Sequence, residues 1–124
     1  MTARLAQRFV YDPNYRPRLT TADKAARTLL ELAPHCWLVT PSHPGVETWV
    51  EAVPAPSVVD QTGAGDAYVG TLTARLVQGD DLLWAAQQAG AAASLVVGGR
   101  GGTGYVPTLD ETRAHLTTAG QVAR

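Results

Sequence analysis

The chain has 124 residues and a mass of 13.1 kDa, and its 10 Lys and Arg residues nearly balance 11 Asp and Glu residues. This length suits one domain with a modest core, and the near-neutral charge argues against nucleic acid as a partner. A single cysteine, Cys36, excludes an internal disulfide and a cysteine metal cluster, while the lack of a long apolar run or a signal-peptide pattern predicts a cytoplasmic chain without membrane contact.

The first part of the chain predicts a strand, a helix and two further strands. The first strand is expected at about residues 8–12, where β-favouring side chains run up to Pro13. A helix follows from Thr20, which stands at capping-box spacing from Asp23, and Pro34 ends it. Short strands are then expected around residues 37–39 and 48–53.

The second part predicts three helices. The first begins at Asp66, carries an apolar stripe that includes Leu72, and stops at Gly79, after which Asp80 or Asp81 caps the next. One face of this second helix is expected to pack closely through Leu83, Ala86, Gly90 and Ala93. A last amphipathic helix is expected at about residues 110–119. The order of strands and helices favours an α/β fold.

A glycine-rich turn precedes the helix predicted at Asp66. Gly63, Ala64 and Gly65 leave the backbone exposed, so their main-chain N–H groups can converge on an anion at the positive end of the helix dipole. A carboxylate beside a phosphate is electrostatically unfavourable, and accepting a proton from an attacking hydroxyl would account for Asp66 at this position. The alternative is that Asp66 only caps the helix, since aspartate is a common N-cap.

The turn lies within a longer run, Val58-Val59-Asp60-Gln61-Thr62-Gly63-Ala64-Gly65-Asp66-Ala67. This run closely resembles the C-terminal signature of the ribokinase-like (PfkB) carbohydrate kinases. Upstream, residues 11–19 resemble a stretch found in the branch that includes 2-keto-3-deoxygluconate kinases and fructokinases.

The resemblance implies a partial ribokinase-like three-layer α/β/α sandwich. Only the C-terminal part is represented, without the N-terminal half of the sheet and without the lid. Residues 1–124 would then form a single truncated kinase domain that holds the nucleotide- and phosphate-handling part.

The resemblance also implies how the glycine-rich turn would work. Asp66 would be the catalytic base that takes the proton of a sugar hydroxyl while that oxygen attacks the γ-phosphate of ATP. The N–H groups of Gly63, Ala64 and Gly65 would form the anion hole for the developing charge.

Further site residues follow from the same resemblance. Asp60 and Thr62 would help define a monovalent cation site of the potassium type, although Gln61 replaces the threonine common there. Asn14 would lie near the phosphates or their magnesium, and Arg16 is the candidate for a sugar-acid carboxylate. The implied cofactors are therefore ATP and Mg²⁺, with K⁺ as a further ion.

A second glycine-rich segment, residues 99–104, formally matches Gly-x-Gly-x-x-Gly. A dinucleotide fingerprint needs a strand before it and a helix after it, whereas this segment follows a helical pattern. Two interpretations stay open, a nucleotide contact or a plain loop.

The histidines and tryptophans show no site pattern. His35, His43 and His115 have no metal-ligand spacing and are expected on the surface, and Cys36 is expected to be a buried thiol. The tryptophans are expected to be core or covering residues, and they stand at positions 37, 49 and 84.

Two functional hypotheses follow. In the first, the chain is part of an ATP-dependent sugar or sugar-acid kinase and needs a partner that carries the missing N-terminal half. In the second, it is a non-catalytic remnant or a module that binds a nucleotide or another anion. The sequence after Thr40 favours this second hypothesis, because Pro41 follows directly where the family has a glycine-rich loop. An uncovered sheet edge also predicts self-association.

Overall fold

The computed structural model describes residues 9–40 and 50–120, and the contacts divide the chain into two units, Met1–Thr48 and Trp49–Arg124. The described part of the first unit contains two short parallel strands, β1 (Val10–Tyr11) and β2 (Leu38–Val39). They are joined by helix α1 (Ala22–Leu32) and a 3₁₀ turn at Ala33–His35. A helix that connects two parallel strands is the α/β arrangement that the sequence predicts.

Helix α1 begins one residue later than predicted. Thr21 rather than Thr20 is the N-cap, and its hydroxyl accepts a hydrogen bond from the N–H of Lys24 at 3.3 Å. The N–H of Thr20 instead donates to the carbonyl of Arg16 at 3.2 Å and so belongs to the preceding turn. Thr21 is therefore the extended residue from which the helix can start.

The strand predicted at 48–53 is wrong for residues 50–53, which have no regular secondary structure. Residues 48 and 49 lie outside the described residues. Val53 is nevertheless 7% exposed, so its apolar side chain enters the core without a strand around it.

The described part of the second unit has three helices: α2 (Ala64–Val77), α3 (Leu82–Val96) and α4 (Leu109–Thr118). Helix α3 packs against both of the others. Its alanine-rich sequence suits this central place because small side chains allow neighbouring helices to approach closely. None of the described helices is both long enough and apolar enough to cross a membrane.

The buried surface of α3 is wider than the predicted face. Leu83 is 48% exposed, whereas Ala85, Ala89 and Ala91 are fully buried. The prediction assumed one buried stripe, but a helix with neighbours on two sides buries a broad arc. Leu83 falls outside that arc.

The core joins α3, α4 and the segment before the glycine-rich turn. Val53, Ala91 and Leu116 are buried together, and Trp84 and Ala119 pack against them. Trp84 is thus partly buried against the core, as expected of a core or covering residue. Trp49 and His43 lie outside the described residues.

His115 was expected on the surface and Cys36 was expected to be buried, but both are half-buried. His115 is half-buried, with its Nε2 atom 3.0 Å from the carbonyl oxygen of Pro54 and 3.1 Å from Ser94 Oγ. Trp37 is 45% exposed, and the thiol of Cys36 is half-buried and donates to the carbonyl of Leu32.

The end of α2 and the start of α3 follow the sequence signals. Gly79 lies just beyond the end of α2 with a φ angle of +97°, and the Asp81 carboxylate accepts a hydrogen bond from Trp84 N–H at 2.9 Å. Glycine relieves the strain of that backbone conformation, and aspartate satisfies a helix N–H. Both signals were correctly placed.

Helix α4 is fixed at its start by a capping box. Thr108 Oγ accepts from the N–H of Glu111, and the Glu111 carboxylate accepts from the N–H of Thr108 at 2.7 Å. We expect Thr108→Ala to lower the free energy of unfolding by about 1 kcal/mol, because both contacts of the Thr108 hydroxyl are lost. Urea denaturation measures the change, and Thr117→Ala in the same helix is the matched control. Equal effects of the two variants would contradict the capping role.

Candidate functional site

The glycine-rich turn leads directly into α2. Gly63, with a φ angle of +84°, is the N-cap, and α2 starts at Ala64. Asp66 is therefore the third residue of the helix, and the alternative that it caps the helix does not apply. Left-handed backbone at Gly63 is what turns the chain into the helix at this point.

The first N–H groups of α2 have few partners. Ala64 N–H is directed at the carbonyl of Gln61 at 3.3 Å, while the N–H groups of Gly63 and Gly65 form no hydrogen bond with the described residues. Unpaired N–H groups at a helix start are a binding site for anions. The turn thus presents donors where the sequence predicts an anion hole.

Asp60 fastens this turn to the second glycine-rich loop. One carboxylate oxygen accepts from the N–H and the hydroxyl of Thr62, at 2.9 and 2.7 Å, and the other accepts from Gly101 N–H at 2.8 Å. These bonds lower the pKa of Asp60, with the Thr62 hydroxyl as the largest cause. The Asp60 carboxylate therefore links the two loops through hydrogen bonds.

The backbones of the two loops also touch. A Cβ atom on Gly63 would lie 2.6 Å from Gly102 Cα, and Gly102 itself has a φ angle of +71°. The N–H groups of Val59 and Asp60 both donate to the carbonyl of Val97, at 2.8 and 3.1 Å. Segment 99–104 is therefore part of the same site as the glycine-rich turn.

The Asp60 contacts make a pH-dependent contribution to stability. Because its folded pKa lies below the ordinary value of 3.8, the contribution is present above about pH 3.8 and is lost as the pH falls through the folded pKa. We expect Asp60→Asn to flatten the loss of stability on acidification below pH 4, since the asparagine amide does not titrate in this range. Thermal unfolding at several pH values measures this. If stability depended on pH in the same way in the variant and the wild-type chain, the link through Asp60 would be refuted.

A cavity of about 620 Å³ opens beside the turn. Its polar end is formed by both glycine-rich loops and by the exposed residue Asp66, whose carboxylate has no partner in the part of the chain that the structure describes. Its other walls come from α2, from α3, from the segment before α4 with the apolar residues Val106 and Pro107, and from Leu109 at the start of α4. The volume lies in the range of about 300–1,000 Å³ found for small-molecule sites.

One residue that lines the cavity, Arg75, belongs to a network of polar side chains. Arg75, which lines the cavity, donates from Nε to Asp80 at 2.7 Å, and the same carboxylate oxygen accepts from the fully buried Gln88 at 2.8 Å. Gln88 in turn accepts from Arg113 of α4 at 3.2 Å. The bond from Arg75, followed by that from Gln88, lowers the pKa of Asp80, so the charged network is favoured.

Asn14 and Arg16 belong to the first unit, whereas the residues from Asp60 to Asp66 belong to the second. Asn14 has a φ angle of +40° and donates from its N–H to the carboxylate of Asp12 at 3.1 Å. Arg16 is exposed, and its carbonyl accepts from Leu19 N–H. Asn14 and Arg16 thus lie in the irregular segment that follows β1.

The donor atoms can be compared with the implied ions. The Asp60 carboxylate accepts three hydrogen bonds and retains one acceptor position, and the Thr62 hydroxyl keeps its oxygen lone pairs. Oxygen atoms of this kind are the ligands that hard cations prefer. In the described ranges, no group of three or more His, Cys, Asp or Glu side chains could hold a metal ion, so Mg²⁺ would depend mainly on oxygens of a bound phosphate.

Residues 47–109 match the family described as pfkB family carbohydrate kinase, and this span includes the glycine-rich turn and most of the cavity. The chain belongs to the PfkB family. The family prediction is thereby confirmed. The upstream motif at residues 11–19 lies outside the matched span of this PfkB-family chain.

A solved structure supports the fold prediction. The Arabidopsis thaliana ribokinase, complexed with ribose and ATP, is similar to this PfkB-family chain with a TM-score of 0.60 at 22% sequence identity. The match covers 86% of this chain and 39% of the ribokinase chain. The partial ribokinase-like fold is therefore confirmed, and the chain spans well under half of that ribokinase.

Part of the site was missed by sequence reasoning. The apolar wall of the cavity, formed by residues such as Val96 and Val106, carries no motif. The contact of Gly102 with Gly63 also went unpredicted, although the density of glycines in residues 99–104 was a signal for close backbone approach.

Proposed function

We propose that this chain provides the phosphate-handling part of an ATP-dependent kinase that phosphorylates a hydroxyl of a sugar or sugar acid. The observation that carries the proposal is the Asp66 carboxylate, which lines the cavity and has no partner among the described residues, close to the N–H groups of Gly63 and Gly65, which form no hydrogen bond with those residues either. Membership of the PfkB family makes carbohydrate phosphorylation the reaction that fits these groups.

In the proposed reaction, Asp66 accepts the proton of the attacking sugar hydroxyl. The sugar oxygen forms its bond to the γ-phosphorus as the bond to the β-phosphate oxygen breaks, and ADP leaves with the electron pair. The N–H groups of Gly63, Ala64 and Gly65 stabilise negative charge on the transferred group. Positioning and charge stabilisation dominate such a transfer, so Asp66 need not be a strong base.

The cavity would receive the nucleotide, with the triphosphate toward the glycine-rich turn and the base toward the apolar walls. Asp60 and Thr62 would hold K⁺, whose charge would support the anion-binding turn. Asn14 would contact the phosphates or their Mg²⁺, which neutralises phosphate charge when bound. ATP bound to the Arabidopsis ribokinase supports this choice of nucleotide.

Residues of the first unit suggest the class of sugar that the kinase would accept. The motif at residues 11–19 favours the branch of 2-keto-3-deoxygluconate kinases and fructokinases. Arg16 is exposed and carries a planar guanidinium that can bind a carboxylate through two hydrogen bonds, which favours an acidic sugar.

Residues 1–124 would form one truncated kinase domain located in the cytoplasm. Since the match covers 39% of the ribokinase chain, we propose that further polypeptide of the same fold supplies most of the sugar pocket. The chain alone would then turn over slowly or not at all.

Because the match covers only 39% of the ribokinase chain, a second candidate function is a nucleotide-binding module without catalysis. ADP release by the purified chain with Mg-ATP and K⁺ separates the two, with 2-keto-3-deoxygluconate, fructose and ribose tested in turn. Sugar-dependent ADP release, however slow, supports the kinase. Binding of ATP without any sugar-dependent release supports the binding module.

A further inference from the structure

The second glycine-rich loop, residues 99–104, is held in one shape by its own backbone and by Asp60. The N–H of Gly101 donates to the Asp60 carboxylate at 2.8 Å, and the N–H of Gly104 donates to the carbonyl of Arg100 at 2.9 Å. A Cβ atom on Gly104 would lie 2.5 Å from the backbone N and O atoms of Arg100, so the turn is tightly closed. The remaining N–H groups of this loop are therefore fixed in place before any ligand binds.

Two residues of this loop bring hydrogen-bond donors to the cavity. Gly102 and Thr103 line its polar end, and neither their N–H groups nor the Thr103 hydroxyl forms a hydrogen bond with the described residues. Gly101 and Gly102 have positive φ angles, of +67° and +71°. Successive N–H groups in turns form concave sites for anions, and the Asp60 carboxylate already binds the N–H of Gly101. The donors that follow Gly101 are unpaired and suit a further anionic oxygen.

The charge of this loop also favours an anion. Arg100 is exposed, its side chain has no partner among the described residues, and residues 99–104 contain no acidic side chain. Among the described residues that line the cavity, Asp66 is acidic, and the basic residue Arg75 is already paired with Asp80 at 2.7 Å. An unpaired guanidinium one residue from the cavity lining would offset the repulsion between Asp66 and a bound phosphate.

The donors of the loop lie beside those of the glycine-rich turn. Gly102 contacts the N-cap of α2, since a Cβ atom on Gly63 would stand 2.6 Å from Gly102 Cα. The unpaired N–H groups of Gly63 and Gly65 belong to the turn, and those of Gly102 and Thr103 belong to the loop. Two adjacent sets of donors suit two phosphates that share a bridging oxygen, because each phosphate can accept from its own set.

We propose that the second glycine-rich loop is a second phosphate subsite, in which Gly102, Thr103 and Arg100 hold the phosphate next to the one that the glycine-rich turn holds. The ligand is then a phosphate donor with at least two linked phosphates, and a monophosphate fills only the first subsite. This inference rests on the proposed function, because a nucleotide is taken as the natural ligand. It favours a nucleotide contact over a plain loop for residues 99–104.

Titration calorimetry of the full chain with inorganic phosphate and with pyrophosphate tests the subsite without any kinase activity. Pyrophosphate should bind about tenfold or more tightly than phosphate, because it reaches the donors of both the turn and the loop. Thr103→Val removes the hydroxyl at nearly constant shape, and Arg100→Gln removes the charge. Each variant should weaken pyrophosphate binding about tenfold and leave phosphate binding unchanged.

Two control variants separate the subsite from a general effect of substitution. Thr103→Ser keeps a hydroxyl and should bind pyrophosphate as tightly as the wild-type chain. Arg27→Gln removes a charge at an exposed position of α1 and should change neither affinity. Circular dichroism checks that each variant is folded, which is expected because Arg100 and Thr103 are both exposed.

Wild-type affinity for pyrophosphate in both loop variants would overturn the proposal. So would an equal loss for phosphate and pyrophosphate, because the loop would then act only by shaping the turn, and so would a wild-type chain that binds pyrophosphate no more tightly than phosphate. Loop-dependent pyrophosphate binding without ADP release would leave the subsite intact and contradict the kinase. ADP release at sub-saturating Mg-ATP that neither loop variant changes would support the kinase and overturn the subsite.

Discussion

Replacing Asp66 with asparagine is expected to lower sugar-dependent ADP release by about 10²- to 10⁴-fold, the usual range for loss of a general base. Asparagine has nearly the same size and cannot take the proton of the attacking hydroxyl. Asp66 is exposed, and its side chain forms no hydrogen bond or ion pair with the described residues, so its loss should not disturb the fold. The rate is measured with Mg-ATP and whichever sugar supports release by the wild-type chain.

Nucleotide affinity separates this role from a structural one. Because a carboxylate repels the phosphates beside it, Asp66→Asn should bind Mg-ATP as tightly as the wild-type chain or more tightly. Asp110→Asn is the matched control, since Asp110 stands in the first turn of α4 and does not line the cavity. Equal rates in both variants would argue against Asp66 as the base.

Replacing Gly63 with alanine is expected to lower the free energy of unfolding by about 2–5 kcal/mol. Left-handed backbone costs a non-glycine residue about 1–2 kcal/mol, and overpacking adds about 1–3 kcal/mol. The added Cβ would stand 2.6 Å from Gly102 Cα, so the second glycine-rich loop must shift. Binding of Mg-ATP should fall along with stability, since the turn and the loop share one site.

Gly79 provides the control for this prediction. It also has a positive φ angle, of +97°, but a Cβ there would meet nothing within 4 Å. Gly79→Ala should therefore cost only the backbone strain, about 1–2 kcal/mol, and should leave nucleotide binding unchanged. Urea denaturation and calorimetry give both quantities, and identical behaviour of the two variants would show that the Gly63–Gly102 contact is unimportant.

Local signals predicted much of the fold. Asp81 and Gly79 marked helix ends through the backbone chemistry of caps, which depends only on neighbouring residues. Leu83 was misplaced because the buried arc of α3 depends on how many helices surround it. Residues 50–53 were misjudged for a similar reason, since Val53 is buried by long-range packing rather than by a strand.

In the candidate site too, local features were predictable from the sequence and long-range contacts were not. Gly63 and Asp66 were visible because the chemistry of the turn lies in ten consecutive residues. The bond from Gly101 to Asp60 joins positions 41 residues apart, and no local pattern gives that distance. The cavity wall at Val106 is equally a product of packing.

We infer that the glycine-rich turn at the start of α2 binds the phosphates of ATP. Titration calorimetry of the purified chain with Mg-ATP and with adenosine tests it most directly, because the two ligands differ only in the phosphates and their metal. We expect Mg-ATP to bind about tenfold or more tightly than adenosine, because only Mg-ATP can accept charge-assisted hydrogen bonds from the N–H groups of the turn. Equal affinity for the two ligands, or binding of neither, would contradict it.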